Sequence, residues 1–302
     1  MLQQLNEIYM SDPIQRLLAK YPEWKEILDD IARLRQTTRQ LPFPKFVEPF
    51  AAVELVKEKE KTKAALALLS PELLEMWITH MSHGARVRME TLEDAILEGL
   101  ANGNLYIPAI LTRCHLEVAG FAAYANKLLH RFADTQDYHQ LKADILRTAY
   151  SSAMAKDNPS IIDNKSIPGV FAAPHSAMNG IEALQEFFDV AAAKGHLNIR
   201  ALYSMLCDFG HPSIVGLRSF VQILNETDKG RDQQYVRKEQ LERADVLNLL
   251  TALIWSMRGG YSSAALMYCG EVVEQKNGFI YQKSDLESGK AIREQLLQHP
   301  RP

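Results

Sequence analysis

Two apolar stretches carry charged and titratable groups in their middles, and this restricts the available folds more than any other feature of the chain. The first is LTRCHLEVAGFAAYA, residues 111–125, which contains Arg113 and Glu117. The second is ALYSMLCDFGHPSIVG, residues 201–216, which runs from Tyr203 through Asp208 to His211 and Pro212. A charge removed from water costs several kcal/mol unless it is paired and hydrogen-bonded. Two such stretches on core-like helices therefore need polar partners, and each is a partner available to the other.

The surrounding pattern is helical nearly throughout. Asp12-Pro13 and Ser70-Pro71 each set a capping residue before a proline at the first helical position. Pro22 opens a helix with Trp24, Ile27, Leu28, Ile31 and Leu34 at helical spacing, ended by the prolines of LPFPKF. Further helices are expected over about 48–69, 71–100 with a bend at Gly84, 105–132 and 137–156. Others follow over 180–194, 197–209, 212–225, 239–275 and 284–298, with Gly259-Gly260 as a kink or close-packing point. Ala101-Asn102-Gly103-Asn104 is a stop signal.

Residues 157–178 show no clean period and read as a loop packed across the body in the manner of a lid. Residues 226–238 read as a charged surface connection, and Asn277 to Tyr281 as a short extended piece. The expectation is an all-α, multi-helix bundle. Residues 1–69 form peripheral N-terminal helices and 70–302 the main bundle, the two able to make one domain.

Arg113 and Glu117 stand at i,i+4 and share a helix face. An inward-facing pair ties helices together, whereas an accessible one is an anion-binding arginine oriented by a carboxylate. Pro212 places His211 at or near a helix N-cap, where the macrodipole disfavours a cation. A neutral imidazole there can exchange a proton near pH 7, or simply cap the backbone. Tyr203 joins these as a candidate ligand contact. The candidate catalytic residues are Arg113, Glu117 and His211; the candidate ligand-binding residues are the same three with Tyr203.

Other chemistry finds little support. His80 and His83 stand at i,i+3 but lack further ligands at metal-site spacing, so no metal is expected. Arg86 and Arg88 make a small basic spot without interleaved aromatics. Cys114, Cys207 and Cys269 are widely spaced and read as reduced thiols. There is no phosphate loop, dinucleotide fingerprint or nucleophile elbow, and nothing calls for a cofactor. The net charge of −3 gives no global attraction to nucleic acid or anionic lipid. The first residues lack a basic and an apolar region, which predicts no secretory leader. No apolar run is long enough to span a bilayer, so a cytoplasmic protein without membrane contact is expected.

The pattern Leu111-Thr-Arg113-Cys-His-Leu-Glu117, followed by Tyr203-Ser-Met-Leu206 and His211-Pro212, resembles a bacterial family of all-helical proteins of unknown function. Members of that kind often carry serine where this chain has Cys207. The likeness covers roughly residues 105–225 and implies a helical fold with the two stretches paired, but no established reaction. A more distant likeness is to the HEPN group of helical nucleases, whose signature is an arginine followed four to six residues later by histidine. Arg293 and His299 fit that spacing. Such a likeness implies a metal-independent ribonuclease of a toxin or defence system. It would require Arg113 and His211 to converge.

Three functional expectations follow. The first is a binding or regulatory module that recognises a small anion, nucleotide or protein through Arg113, Glu117 and His211. The second is a HEPN-like ribonuclease acting on RNA. The third is a structural or homo-oligomerising helical protein.

Overall fold

The computed structural model describes residues 12–40, 77–137, 140, 141, 144, 176–191, 198–210, 220–228, 230–236, 242–268, 270–275 and 278–283. The first helix, α1, spans Pro13–Lys20, and a 3₁₀ turn over Pro22–Trp24 leads into α2, Lys25–Gln40. A π-helical turn over His80–Gly84 leads into α3, Ala85–Ala101, and α4 spans Tyr106–Thr135. Then come α5, Ala177–Ala191, α6, Ile199–Gly210, the strands β1, Val221–Thr227, and β2, Gly230–Tyr235, and α7, Arg243–Tyr268. Strands β3, Gly270–Gln275, and β4, Gly278–Lys283, complete the described elements. The described residues are mostly helical, as the apolar period predicts.

Local chemistry explains the helix ends. Asp12 caps α1 by accepting the Ile14 N–H at 2.9 Å, with Pro13 in the first helical position. Gly103 ends α3 in the left-handed region at φ 77°. There the Gly103 N–H reaches Leu100 O and the Asn104 N–H reaches Gly99 O, a Schellman closure that a residue with a Cβ would strain. Asn104 Oδ1 then accepts the Ile107 N–H at 3.2 Å and starts α4. Where a bend was expected at Gly84 the structure has a π turn, in which the helix register slips over five residues, His80 to Gly84.

Two readings are corrected. The helix expected over 212–225 is a strand from Val221 onward, and the connection over 226–238 forms the rest of an antiparallel hairpin, Val221 pairing with Tyr235 and Thr227 with Gly230. The β-branched Val221, Ile223 and Thr227 favour extended backbone, and Asp228 turns the chain before Gly230 opens the second strand. The helix expected to reach residue 275 stops at Tyr268, and Gly270 to Gln275 pair with Gly278 to Lys283 instead. The other expected helices 48–69 and 284–298, and most of 137–156, lie outside the described residues, as does nearly all of the 157–178 segment.

The chain divides into two compact units. One comprises Met1–Leu41, Val87–Ala119 and Gln185–Gly259; the other comprises Pro42–Arg86, Gly120–Leu184 and Gly260–Pro302. In the first unit, Leu28, Ile31, Leu34, Ile96, Leu100, Leu116 and Leu253 are fully or almost fully buried. In the second, Leu128, Phe132, Ile181, Tyr261 and Met267 form the described core.

Within the second unit α4 and α5 touch backbone to backbone. A Cβ added at Gly120 would stand 2.7 Å from Gly180 C and 2.9 Å from Gly180 O. Neither neighbour is a flexible side-chain end that could swing aside. Gly120→Ala is therefore expected to destabilise the protein by about 1–3 kcal/mol despite alanine's better helix propensity. Urea denaturation checks this; a variant as stable as its parent would show that the helices separate freely.

Candidate functional site

The candidate residues lie in the first unit, where α4 meets α6. Arg113 and Glu117 occupy adjacent turns of α4, and Arg113 Nε donates to Glu117 Oε1 at 3.0 Å. Tyr203, on α6, donates its hydroxyl to the same Oε1 at 2.8 Å. The phenol oxygen in turn lies 3.5 Å from Arg113 Nη2, and the guanidinium carbon is 5.5 Å from the Tyr203 ring centre. The two sequence stretches thus meet through three side chains. His211 lies outside the described residues, and so do Arg293 and His299.

The cluster is open on one side. The Arg113 and Glu117 side chains keep 27% and 32% of their surface, whereas Tyr203 is 8% exposed. Arg113 uses its Nε and Nη2 edge on Glu117 and Tyr203, and among the described residues Nη1 has no acceptor. Glu117 receives both bonds on Oε1, and among the described residues Oε2 has no donor.

Burial, then the hydrogen bond to Glu117 and its charge, push the Tyr203 phenol up to about 12. It stays a donor across the physiological range. Burial, reinforced by Glu117, also raises the Cys114 thiol against the opposing pull of Arg113 and Arg88, so the neighbouring cysteine is held as a thiol. That disfavours thiolate nucleophilic chemistry at this place.

A second polar constellation escaped the sequence reading. Glu93 on α3, His115 on α4 and Ser256 on α7 have no exposed surface. His115 Nδ1 is 2.6 Å from Ser256 Oγ, and Nε2 is 3.3 Å from Glu93 Oε1. The Nε2–H tautomer satisfies both neighbours, donating to the carboxylate and accepting from the hydroxyl. The residue types are those of a hydrolase triad, but no substrate reaches a serine with no accessible surface.

Arg35 Nε on α2 lies 3.9 Å from Glu93 Oε2. Arg258, two residues beyond Ser256, pairs with Asp30 on α2, which also accepts from Arg33 at 2.6 Å. Burial draws Arg258 down to about 10, which leaves it charged at neutral pH. The contacts form a closed circuit: Arg35 on α2, Glu93 on α3, His115 on α4, Ser256 and Arg258 on α7, and back to Asp30 on α2.

Signals for this circuit were present. His115 occupies the same inward face as Thr112, Leu116 and Ala119, all buried. Arg258 is the sole charged residue in the stretch from Val246 to Ala265, and a lone cation at such a position demands a buried carboxylate. Asp30 sits at a buried position of α2 beside Ile31. Of the pair at His80 and His83, burial and Arg86 lower His83 to about 4, which keeps its ring uncharged at neutral pH. No group of three or more metal-ligating side chains occurs among the described residues. None of the described helices is long and apolar enough to cross a membrane.

No protein-family model, curated protein or solved structure matches the chain. The function is therefore argued from the geometry of the clusters themselves.

Two outcomes are expected. Arg258→Met keeps the volume but leaves Asp30 with Arg33 alone, and should cost about 3 kcal/mol in chemical denaturation. The Tyr203 phenol is raised in the folded state, so its contribution to stability is fully present below pH ~10 and is lost as pH rises through about 12. Tyr203→Phe should accordingly flatten the alkaline fall in stability between those limits. Parallel alkaline profiles for parent and variant would show that the Tyr203–Glu117 bond has no energetic weight.

Proposed function

We propose that the chain is a helical recognition module that binds a small polar ligand, an anion or a nucleotide, at Arg113. The observation that carries this reading is the divided use of one guanidinium. Glu117 and Tyr203 fix one edge of it, while Nη1, on a side chain that is 27% exposed, has no acceptor among the described residues. An arginine whose fork is already oriented loses less conformational freedom on binding than a free one, and so binds better. The resemblance to a helical family of unknown function rests on these same residues and agrees with a shared role for them. A cytoplasmic setting is part of the proposal.

The short Tyr203–Glu117 bond also favours a second reading, in which the cluster serves only to join α4 to α6. Half-exposed ion pairs contribute about 0–1 kcal/mol, so that role alone makes Arg113 nearly dispensable for folding. The ribonuclease reading needs His211 beside Arg113, and no described contact supports it.

Calorimetric titration of inorganic phosphate and nucleotides into parent, Arg113→Lys and Arg113→Ala separates these readings. Recognition predicts binding to the parent, about tenfold weaker binding to the lysine variant with its single rotatable ammonium, and none to the alanine variant. Arg113→Ala should lose no more than about 1 kcal/mol of stability. If no probe binds the parent, the joining role remains; RNA cleavage that Arg113→Ala abolishes would favour the nuclease instead.

A further inference from the structure

Among the described residues, strands β1 and β2 pair only with each other, and every position from Gln222 to Thr227 and from Gly230 to Tyr235 is exposed. The hairpin is anchored at its base, where the Phe220 ring meets Tyr106 of α4 edge-on at 5.9 Å. A two-stranded ribbon with neither face covered is marginally stable in water and gains from further strands.

The ladder shows which edge is open to a new strand. The Val236 N–H donates to Phe220 O at 2.8 Å, inside the hairpin. Inward and outward groups alternate along an antiparallel strand. Gln234 and Asp232 therefore also turn their backbone groups to β1, while Arg231, Gln233 and Tyr235 turn theirs outward. The outer edge of β1 is interrupted by a bulge at Leu224, a device that hinders strand addition. The register of β2 is unbroken, and it ends in Tyr235, at 74% the most exposed large apolar side chain among the described residues.

We propose that the outer edge of β2 pairs with β2 of a second copy of this chain, antiparallel about a two-fold axis at Gln233, to make one four-stranded sheet. Backbone hydrogen bonds across the edge supply the affinity, and the side chains set the register. Gln233 then stands opposite its own copy, Arg231 opposite Tyr235 of the second copy, and Asp232 opposite Gln234. Each guanidinium meets a phenol ring, twice per interface, and each carboxylate meets an amide donor. Arg231 keeps its 2.7 Å pair with Glu226. An axis at Arg231 or at Asp232 would instead set like charges opposite each other. Both outer edges of the four-stranded sheet are bulged β1 strands, so assembly closes at two copies. A six-residue edge buries less than the roughly 1,200 Å² of a standard interface, so the dimer dissociates on dilution. This surface shares no residue with the Arg113 cluster, and the pairing stands whether or not that cluster binds a ligand.

Sedimentation velocity of the full chain from about 10 μM to about 1 mM tests the pairing, and a dimer that grows with concentration is expected. Gln233→Pro removes an outward N–H and leaves the bonds to β1 intact. Tyr235→Lys sets an ammonium opposite Arg231 of the second copy. Each should weaken dimerisation about tenfold or more, whereas Tyr235→Phe should not. Both positions are exposed, so far-UV circular dichroism should show the helices unchanged. Gln233→Cys brings two thiols across the axis at the roughly 5.5 Å Cα separation of a hydrogen-bonded pair, within disulfide range, and should cross-link on oxidation. Gln234→Cys, which faces Asp232 of the second copy, should cross-link no more than the parent.

A parent that stays monomeric throughout would overturn the pairing and leave the edge to a strand of another protein. A dimer unchanged by Gln233→Pro and Tyr235→Lys would overturn it by placing the interface elsewhere. Cross-linking of Gln234→Cys in preference to Gln233→Cys would overturn the register.

Discussion

A carboxylate buried in an apolar core has to find its compensation inside the protein, and the first unit is arranged around two such groups, Glu93, with no exposed surface, and Asp30, nearly buried. Glu93 is met by His115 and Arg35, and Asp30 by Arg258 and Arg33. Because Ser256 and Arg258 stand two residues apart on α7, the two sites join into one circuit through α2, α3, α4 and α7. Such a circuit adds little net stability compared with well-packed apolar side chains of the same volume. Its effect is selective. Slipping any one helix by a turn would strand a buried charge at a cost of several kcal/mol, so the circuit singles out one register among many apolar packings of similar energy.

The open cluster depends on that register. His115 lies between Arg113 and Glu117 in sequence and, at about 100° per residue, faces away from both of them. Locking the imidazole between Glu93 and Ser256 therefore fixes the rotation of α4, and this turns Arg113 and Glu117 toward Tyr203 on α6. A polar cluster on helices whose rotation is set by a buried network behind it is held to a narrow geometric tolerance. The buried histidine and the partly exposed arginine thus belong to one arrangement, although only the arginine reaches solvent.

Some of this was written locally. The i,i+4 spacing of Arg113 and Glu117, the Asp12 cap and the Gly103 stop follow from interactions within a few residues of each other, and the sequence predicts them directly. The hairpin at Val221–Tyr235 is not legible in the apolar pattern because Ile223 and Leu224 fit the period that predicts a helix over 212–225, while the signal for strands lies in β-branching and in the turn before Gly230. The buried circuit was missed for a different reason. Its members come from positions 30, 35, 93, 115, 256 and 258, and each alone reads as a stray polar residue in an amphipathic helix.

By itself the sequence determined the helical class of the chain, where several helices begin and end, and that charged groups embedded in apolar helices must find partners. Those results depend on backbone hydrogen bonding and on the period of side chains around a helix, both of which act over a few residues. Which partners meet was decided only by the tertiary structure: Arg113 with Tyr203, His115 with Glu93 and Ser256, Arg258 with Asp30. A buried charge specifies that it must be neutralised without specifying by whom. Helices of equal amphipathicity can rotate and slide against one another at little cost until all their buried polar groups are satisfied at once.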